Sequence, residues 1–252
     1  MIQGPIFITA AHSTRLQRLG LYSGDKNRIH LREEWVAYLA IRLAYHLSKI
    51  HSEKKKEEAK EESKGSNLVA AEKLASFMVW SKDKPFNKDD IDPNYVNEKM
   101  YPKSHFYQGL RKWISSLGES DVPFHIDIHG KINRKTDRNI DIGIESMHQE
   151  WPYPDKGSLF AKELDILSIE YINNAFVGVK CDNMEVTGIT ECWLSGYWGE
   201  GILTMTTQAV LLGVPSFQLE IPRSVRKALS LDDDLLRKLA LNIYNLYSDV
   251  VC

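Results

Sequence analysis

Four side chains of this sequence can bind a metal or move a proton: His12, Glu33 and His129 at strand ends or a helix start, and Glu220 on the polar face of a late strand. Two histidines and one carboxylate are the ligand set of many catalytic zinc sites, with the fourth position open to water. A metal so held lowers the pKa of its water toward ~7 and polarises a carbonyl. A further carboxylate can take the water's proton and pass it to a leaving amine. An arginine can hold the developing oxyanion; Arg138 and Arg223 both lie near candidate residues in sequence. The residues are dispersed, so no single spacing is a motif. Taken singly they have plainer readings, His12 as a loop histidine and Glu220 as a paired strand carboxylate.

The element around which these residues are organised is FHIDIHG, residues 124–130. It alternates with period two, the pattern of a β-strand. Ile126 and Ile128 fall on one face; His125, Asp127 and His129 fall on the other. A face with three ionisable groups is costly to bury unless they are paired or bind a metal. A half-solvated strand with water-facing histidines is the alternative, and His125 is expected to be structural or exposed. His129 stands at the strand's C-terminal end, where sites form in open α/β sheets.

Other elements carry the remaining candidates. The apolar run 5–11 reads as a buried strand that ends at His12. A polar loop (15–27) leads to a helix over 31–50, with Val36, Ala40, Leu43 and Leu47 on its core stripe. That phase turns Glu33 inward from the first turn, whereas Glu34 falls toward Tyr38, Ile41 and Tyr45. The charged run 51–66 is expected to be a solvated helix extension or a mobile loop. Residues 67–73 read as helical, 74–80 as strand or helix, and 82–100 as a long loop of the kind that is often functional.

A helix over 104–117 precedes the central strand, and a basic loop, 131–136, leads to a strand over 138–143. Then come a helix over 155–173 with Ser158 as N-cap, a short strand at 176–179, and a polar, glycine-rich stretch, 182–201. Its Trp193, Tyr197 and Trp198 line a cleft or pack on the domain. Residues 203–212 are helical or extended, 216–221 a strand with Ser216, Gln218 and Glu220 on one face, and 231–250 a closing helix. This alternation predicts an α/β fold with a mixed central sheet flanked by helices, in one domain over 1–252.

Composition narrows the function classes. The chain has 252 residues, 43% hydrophobic and 26% charged, with a net charge of −2, a soluble profile with no basic excess pointing to nucleic acid. No apolar stretch is long enough to span a membrane, and the N-terminus lacks the pattern of a secretion signal. Three cysteines, none in a CxxC pair, fit a reducing, cytoplasmic setting and exclude a cysteine-rich zinc site. No Walker or GxGxxG motif supports nucleotide binding.

The ordered segments ITAAHS, DIHG, RNIDIG, FVG and SFQLEIPR resemble the N-formylglutamate amidohydrolase family. In that family an early strand ends in a histidine and a central strand carries DxH(S/G). An R..DI.(L/I)G segment follows, then a late QxE strand with an arginine after it. The counterparts here are His12; Asp127 with His129; Arg138 with Asp141 and Gly143; and Gln218 with Glu220 and Arg223. The resemblance implies a zinc carboxypeptidase-like (phosphorylase/hydrolase-like) fold. It also implies zinc bound by His12 and His129, Glu220 as the catalytic carboxylate, and Asp127 behind the ligands.

The acidic ligand falls at Arg32-Glu33-Glu34-Trp35, where alignment and helix phase favour Glu33. His30 to Trp35 also resembles the HxxE-W ligand motif of carboxypeptidases, which would recruit His30 in place of His12; no strand is expected to lead into His30. The family's DxNR stretch corresponds to Asp92-Pro93-Asn94-Tyr95, without the arginine. The expectation is a zinc-dependent amidohydrolase of an N-acyl amino acid or small peptide-like substrate. Its zinc lies on His12, Glu33 and His129, with Glu220 and Arg138 in catalysis and Asn94, Gln218 and Arg223 on the substrate. A carboxypeptidase-like peptidase or esterase, or a non-catalytic ligand-binding descendant, are the alternatives.

Overall fold

The computed structural model describes residues 4–13, 16–18, 28–30, 32–62, 73–79, 92–152, 154–190 and 202–251. The chain enters through β1 (Ile6–Ala10), a 3-10 turn (Ala11–Ser13), β2 (Leu16–Arg18), β3 (Arg28–His30) and α1 (Val36–Glu62). It continues through β4 (Ala75–Val79), α2 (His105–Ile114), β5 (Phe124–Lys131), β6 (Ile140–Gly143), α3 (Glu145–Glu150) and α4 (Pro154–Phe176). Then follow β7 (Lys180–Cys181), β8 (Met184–Glu185), β9 (Gly188–Thr190), α5 (Met205–Val210), β10 (Ser216–Pro222), α6 (Arg223–Leu231) and α7 (Asp233–Val251).

Six strands form the central sheet in the order β4-β1-β5-β10-β6-β9. Neighbours are parallel except β10 with β6, so the sheet is mixed, as the alternation of elements predicts. From β1 the chain leaves toward β4, and from β5 it leaves the other way, toward β6. Adjacent parallel strands whose connections diverge open a crevice at their C-terminal ends. Both candidate histidines lie there, His12 just past β1 and His129 near the end of β5.

Period-two alternation divides the sheet. Ile6, Ile8, Phe124, Ile126, Ile128, Phe217, Leu219 and Ile221 join the stripes of α1 (Val36, Leu39, Leu43, Leu47) and α7 (Leu236, Leu239, Ile243) in the larger core. The other face packs against α2 and α5, where Phe7 and Ala11 meet Phe106, Leu110, Trp113, Met205 and Ala209. Both faces are therefore covered. The polar side of β5 is not half-solvated: His125 and Asp127 are 0% exposed.

Several local expectations change. The first helix starts at Val36, five residues later than the stripe suggests, after Trp35 takes a left-handed φ of 66°. It runs on to Glu62, so 51–62 of the charged segment are a helix extension rather than a loop, and 63–66 lie outside the described residues. Of residues 74–80, Ala75–Val79 form strand β4; 67–72, Trp80, Trp193, Tyr197 and Trp198 lie outside the described residues. Ser158 does not cap a helix, because α4 already begins at Pro154. Proline is tolerated there since the N–H it lacks has no intrahelical partner in a first turn.

Residues 176–179 are not a strand. Burial of Ala175 and Phe176 carries α4 to Phe176, and Gly178 turns the chain at φ 75°. Residues 203–212 contain the short buried helix α5. β10 passes directly into α6 at Pro222-Arg223, a helix the periodicity did not separate. Among the described residues, no helix is long and apolar enough to cross a membrane.

Candidate metal centre

His12, Glu33 and His129 converge: each offers a ligand atom within 4.8 Å of the others, a group that can hold a metal ion. The two imidazoles stand edge to face with centroids 4.5 Å apart. His12 Nδ1 lies 3.0 Å from Glu33 Oε1, and His129 Nδ1 lies 3.9 Å from Glu33 Oε2 and 4.0 Å from Glu220 Oε1. The δ nitrogens thus face the carboxylates at the centre.

The ε nitrogens are anchored elsewhere. His12 Nε2 donates to Asp92 Oδ2 at 2.9 Å, and His129 Nε2 donates to Asp127 Oδ2 at 2.8 Å. Both aspartates are 0% exposed. A carboxylate behind a histidine fixes its ring and tautomer and leaves the other nitrogen to bind metal. Asp92 is itself held, since Oδ1 accepts the Asn94 N–H at 3.0 Å.

The backbone places the third ligand. Glu33 sits in the turn before α1, not in its first turn; its N–H donates to His12 O at 2.7 Å, tying the two ligands together. Its Oε2 accepts the Gly130 N–H at 2.6 Å. A Cβ at Gly130 would overlap the guanidinium of Arg226, which would have to shift. That guanidinium donates to the carbonyls of Glu34 and Lys131 at 2.9 and 3.1 Å and to Ile221 O, and so braces the rim of the site.

His30 closes the short strand β3, contrary to the expectation that no strand leads into it; its side chain lies outside the described residues. Glu34 points to the rim, where Oε2 accepts from Arg223 Nε at 2.9 Å, in a pair with both side chains about half exposed. Glu220 stands in register with His129 on β5 and Asp141 on β6, forming a row across the sheet. Gln218 Nε2 donates to Glu220 Oε1 at 2.7 Å. Asn94 Oδ1 accepts the Met205 N–H at 2.8 Å, which sets its Nδ2 3.1 Å from His129 Nε2.

Arg138 lies apart from this cluster. Its Nε donates to Asp182 Oδ2 at 2.9 Å, and Nη1 to the carbonyls of Arg134 and Asp137 at 2.6 and 2.7 Å. The structure thus brings together His12, Glu33, His129, Glu220, Gln218 and Asn94, and places Arg138 and Arg223 outside their contacts. Sequence reasoning missed Asp92 as the anchor of His12, and Thr9 and Arg226 altogether. The signal for Asp92 was the pair of polar residues flanking Pro93 in a long loop.

The electrostatics suit a cation. Burial disfavours charge on His12, but Asp92 and Glu33 more than offset it and raise its pKa to about 10. Burial likewise opposes charge on His129, and Asp127 raises its pKa to about 9 against the repulsion of His12. Burial pushes Glu220 above the usual carboxylate range, with His129 acting in the opposite direction. Four carboxylates (Glu33, Asp92, Asp127 and Glu220) surround two imidazoles, a charge balance in which a dication could stand in place of two protons.

His125 has the opposite environment, and its pKa is lowered to about 4, chiefly by burial. A histidine depressed in the native state and near 6.5 when unfolded costs stability as pH falls from ~6.5 to ~4, up to about 3 kcal/mol. We expect urea unfolding of the chelated protein to show this loss relative to His125→Gln, which has nothing to protonate. Parallel pH profiles for the two proteins would refute a neutral, buried His125.

No family model and no curated protein sequence matches this chain. Among solved structures, it is similar to YndL in its zinc-free form, at 11% identity, covering 99% of this chain and 87% of that one, with a TM-score of 0.46. It is also similar to an N-acetylmuramyl-L-alanine amidase from Mycobacterium smegmatis, at 12% identity, covering 99% of this chain and 98% of that one, with a TM-score of 0.41.

Proposed function

We propose that this chain is a zinc-dependent hydrolase that cleaves the amide bond of an N-acyl amino acid or small peptide-like substrate, on a zinc carboxypeptidase-like scaffold. The observation that carries the reading is the convergence of His12, Glu33 and His129 with each histidine's Nε2 on a buried aspartate. Two imidazole nitrogens and one carboxylate oxygen, all within 4.8 Å of one another, are the donor set of a catalytic zinc site and would hold the ion. When bound, zinc supplies Lewis acidity, polarising a carbonyl and acidifying water at the site.

The chain's own residues do the rest. Glu220, held at Oε1 by Gln218, accepts the proton of the attacking water and returns it to the leaving amine. Its burial-raised pKa brings it nearer to neutrality, where such a shuttle works best. Asn94 packs against His129 at the wall nearest α5. Arg223 is the contact we assign to a substrate carboxylate. Its pair with Glu34 is exposed, and exposed pairs contribute only ~0–1 kcal/mol, so a substrate anion can compete for it.

The test is metal content followed by a panel of N-acyl amino acids, dipeptides and simple esters. We expect the purified protein to carry zinc, to lose amide hydrolysis on chelation and to regain it with zinc. Absence of zinc, or full activity after chelation, would overturn the reading. Cleavage of esters and dipeptides without N-acyl amino acids would move it to a peptidase or esterase.

A further inference from the structure

We propose that His125 is a positioning residue for this centre, acting through a hydrogen-bond chain that runs Ser216–His125–Thr9–Asp127–His129 along the polar face of the sheet. The inference rests on the metal-site reading above. Register supplies the framework: His125 stands opposite Ser216 of β10, and Asp127 opposite Thr9 of β1. Ser216, His125, Thr9 and Asp127 are all 0% exposed, and His129 is 4% exposed, so the chain is closed to solvent over its length.

The chain has one sense. Asp127 is an acceptor at both oxygens, Oδ1 toward Thr9 and Oδ2 toward His129. The Thr9 hydroxyl donates to Asp127 Oδ1 at 2.7 Å, which uses its one proton. Thr9 Oγ1, 2.9 Å from His125 Nε2, must then accept from it, so His125 carries its proton on Nε2. His125 Nδ1 is left as an acceptor for the Ser216 hydroxyl at 2.6 Å. At the other end, Asp127 Oδ2 accepts from His129 Nε2, and His129 Nδ1 faces Glu33 and Glu220.

Both Asp127 oxygens are thereby fixed, one by Thr9 and one by His129. A packing role alone would not require an imidazole between Phe7 and Phe106, whose rings lie 6.1 and 5.6 Å from it. A hydrocarbon side chain would fill that space without leaving polar atoms to satisfy. The chain extends the support of a metal ligand from its first partner, Asp127, to two further side chains on neighbouring strands.

The test uses Thr9→Val, which keeps volume and removes the hydroxyl; Thr9→Ser, which restores it; and Ser216→Ala at the far end. Zinc affinity is read against a chromogenic chelator, and ligand geometry from the visible bands of the cobalt-substituted protein. Losing such support costs about 10- to 100-fold in metal affinity. We expect a loss of this size for Thr9→Val, recovery in Thr9→Ser, a smaller loss for Ser216→Ala, and displaced cobalt bands in both weakened variants. Wild-type affinity and unchanged bands in Thr9→Val and Ser216→Ala, with only the melting temperature lowered, would make the chain mere packing.

A second readout needs no metal. In the metal-free protein, imidazole nitrogen resonances should place the His125 proton on Nε2, and Thr9→Val should shift those of His129. A His129 signal indifferent to both variants would overturn the proposal. If the wild type binds no zinc, the hydrolase reading fails, and the imidazole resonances alone decide the chain.

Discussion

Replacing His129 by alanine is expected to remove zinc and hydrolytic activity together, and to destabilise the fold as well. His129 holds two positions at once. Its Nδ1 faces Glu33 and Glu220 at the centre of the site, and its Nε2–H satisfies Asp127, which is 0% exposed. Alanine takes away one of the three proposed ligands and leaves a buried carboxylate that still accepts from the Thr9 hydroxyl. Leaving one partner of a buried ion pair behind typically costs about 3–5 kcal/mol. His129→Gln separates the two effects, since its amide can still donate to Asp127 but is a poor zinc ligand. Stability should therefore return in part while zinc does not. Metal content after gel filtration and urea midpoints read the two quantities. A His129→Ala protein that retains its zinc would take His129 out of the ligand set.

How much of this site was legible in the sequence depends on the distance over which each contact is made. The strand face of His125, Asp127 and His129 was visible from alternation alone, because β-strand geometry dictates sides. Its complete burial was not visible, since it depends on α2 and α5 covering that face. Glu33 was selected for a reason that does not hold. Helix phase was invoked, whereas the residue precedes α1 and is placed by the His12 O contact and by Gly130 N–H. A chain reversal at Trp35, φ 66°, is not encoded in hydrophobic periodicity.

Contacts between distant segments were out of reach for a different reason. Asp92 meets His12 across 80 residues of sequence, and Thr9 meets His125 across 116. One sequence without its relatives holds no record of such pairs. Arg226 was hidden because β10 enters α6 without a loop, so nothing punctuates the helix that carries it. Arg138 shows the converse. Its place near a candidate strand invited a catalytic role, yet its guanidinium is held by Asp182 and two loop carbonyls, a bracing arrangement that proximity in sequence does not distinguish from a site contact.

Glu220→Gln should separate catalysis from metal binding most sharply. Glutamine has nearly the same shape as glutamate and cannot take up a proton at physiological pH. Glu220 is set on β10 level with His129, and its Oε1 is held by Gln218 Nε2 at 2.7 Å, so the carboxylate points to the centre in one orientation. Glutamine can keep that hydrogen bond through its own carbonyl, and the fold and the three ligands are unaffected. A positioned general base contributes typically about 10²–10⁴-fold, and a loss of that size in kcat corresponds to about 3–5 kcal/mol in the barrier. We expect kcat to fall by that factor, KM to stay near its wild-type value, and zinc content to be unchanged. The pH–rate profile should also lose the limb reporting the carboxylate, whose pKa burial has raised. The two failures are informative in different ways. Loss of zinc would make Glu220 a ligand rather than a base, and wild-type kcat would assign the proton transfer to another group. Only an inactive, zinc-replete, folded Glu220→Gln protein fits a carboxylate that handles the proton while His12, Glu33 and His129 hold the metal.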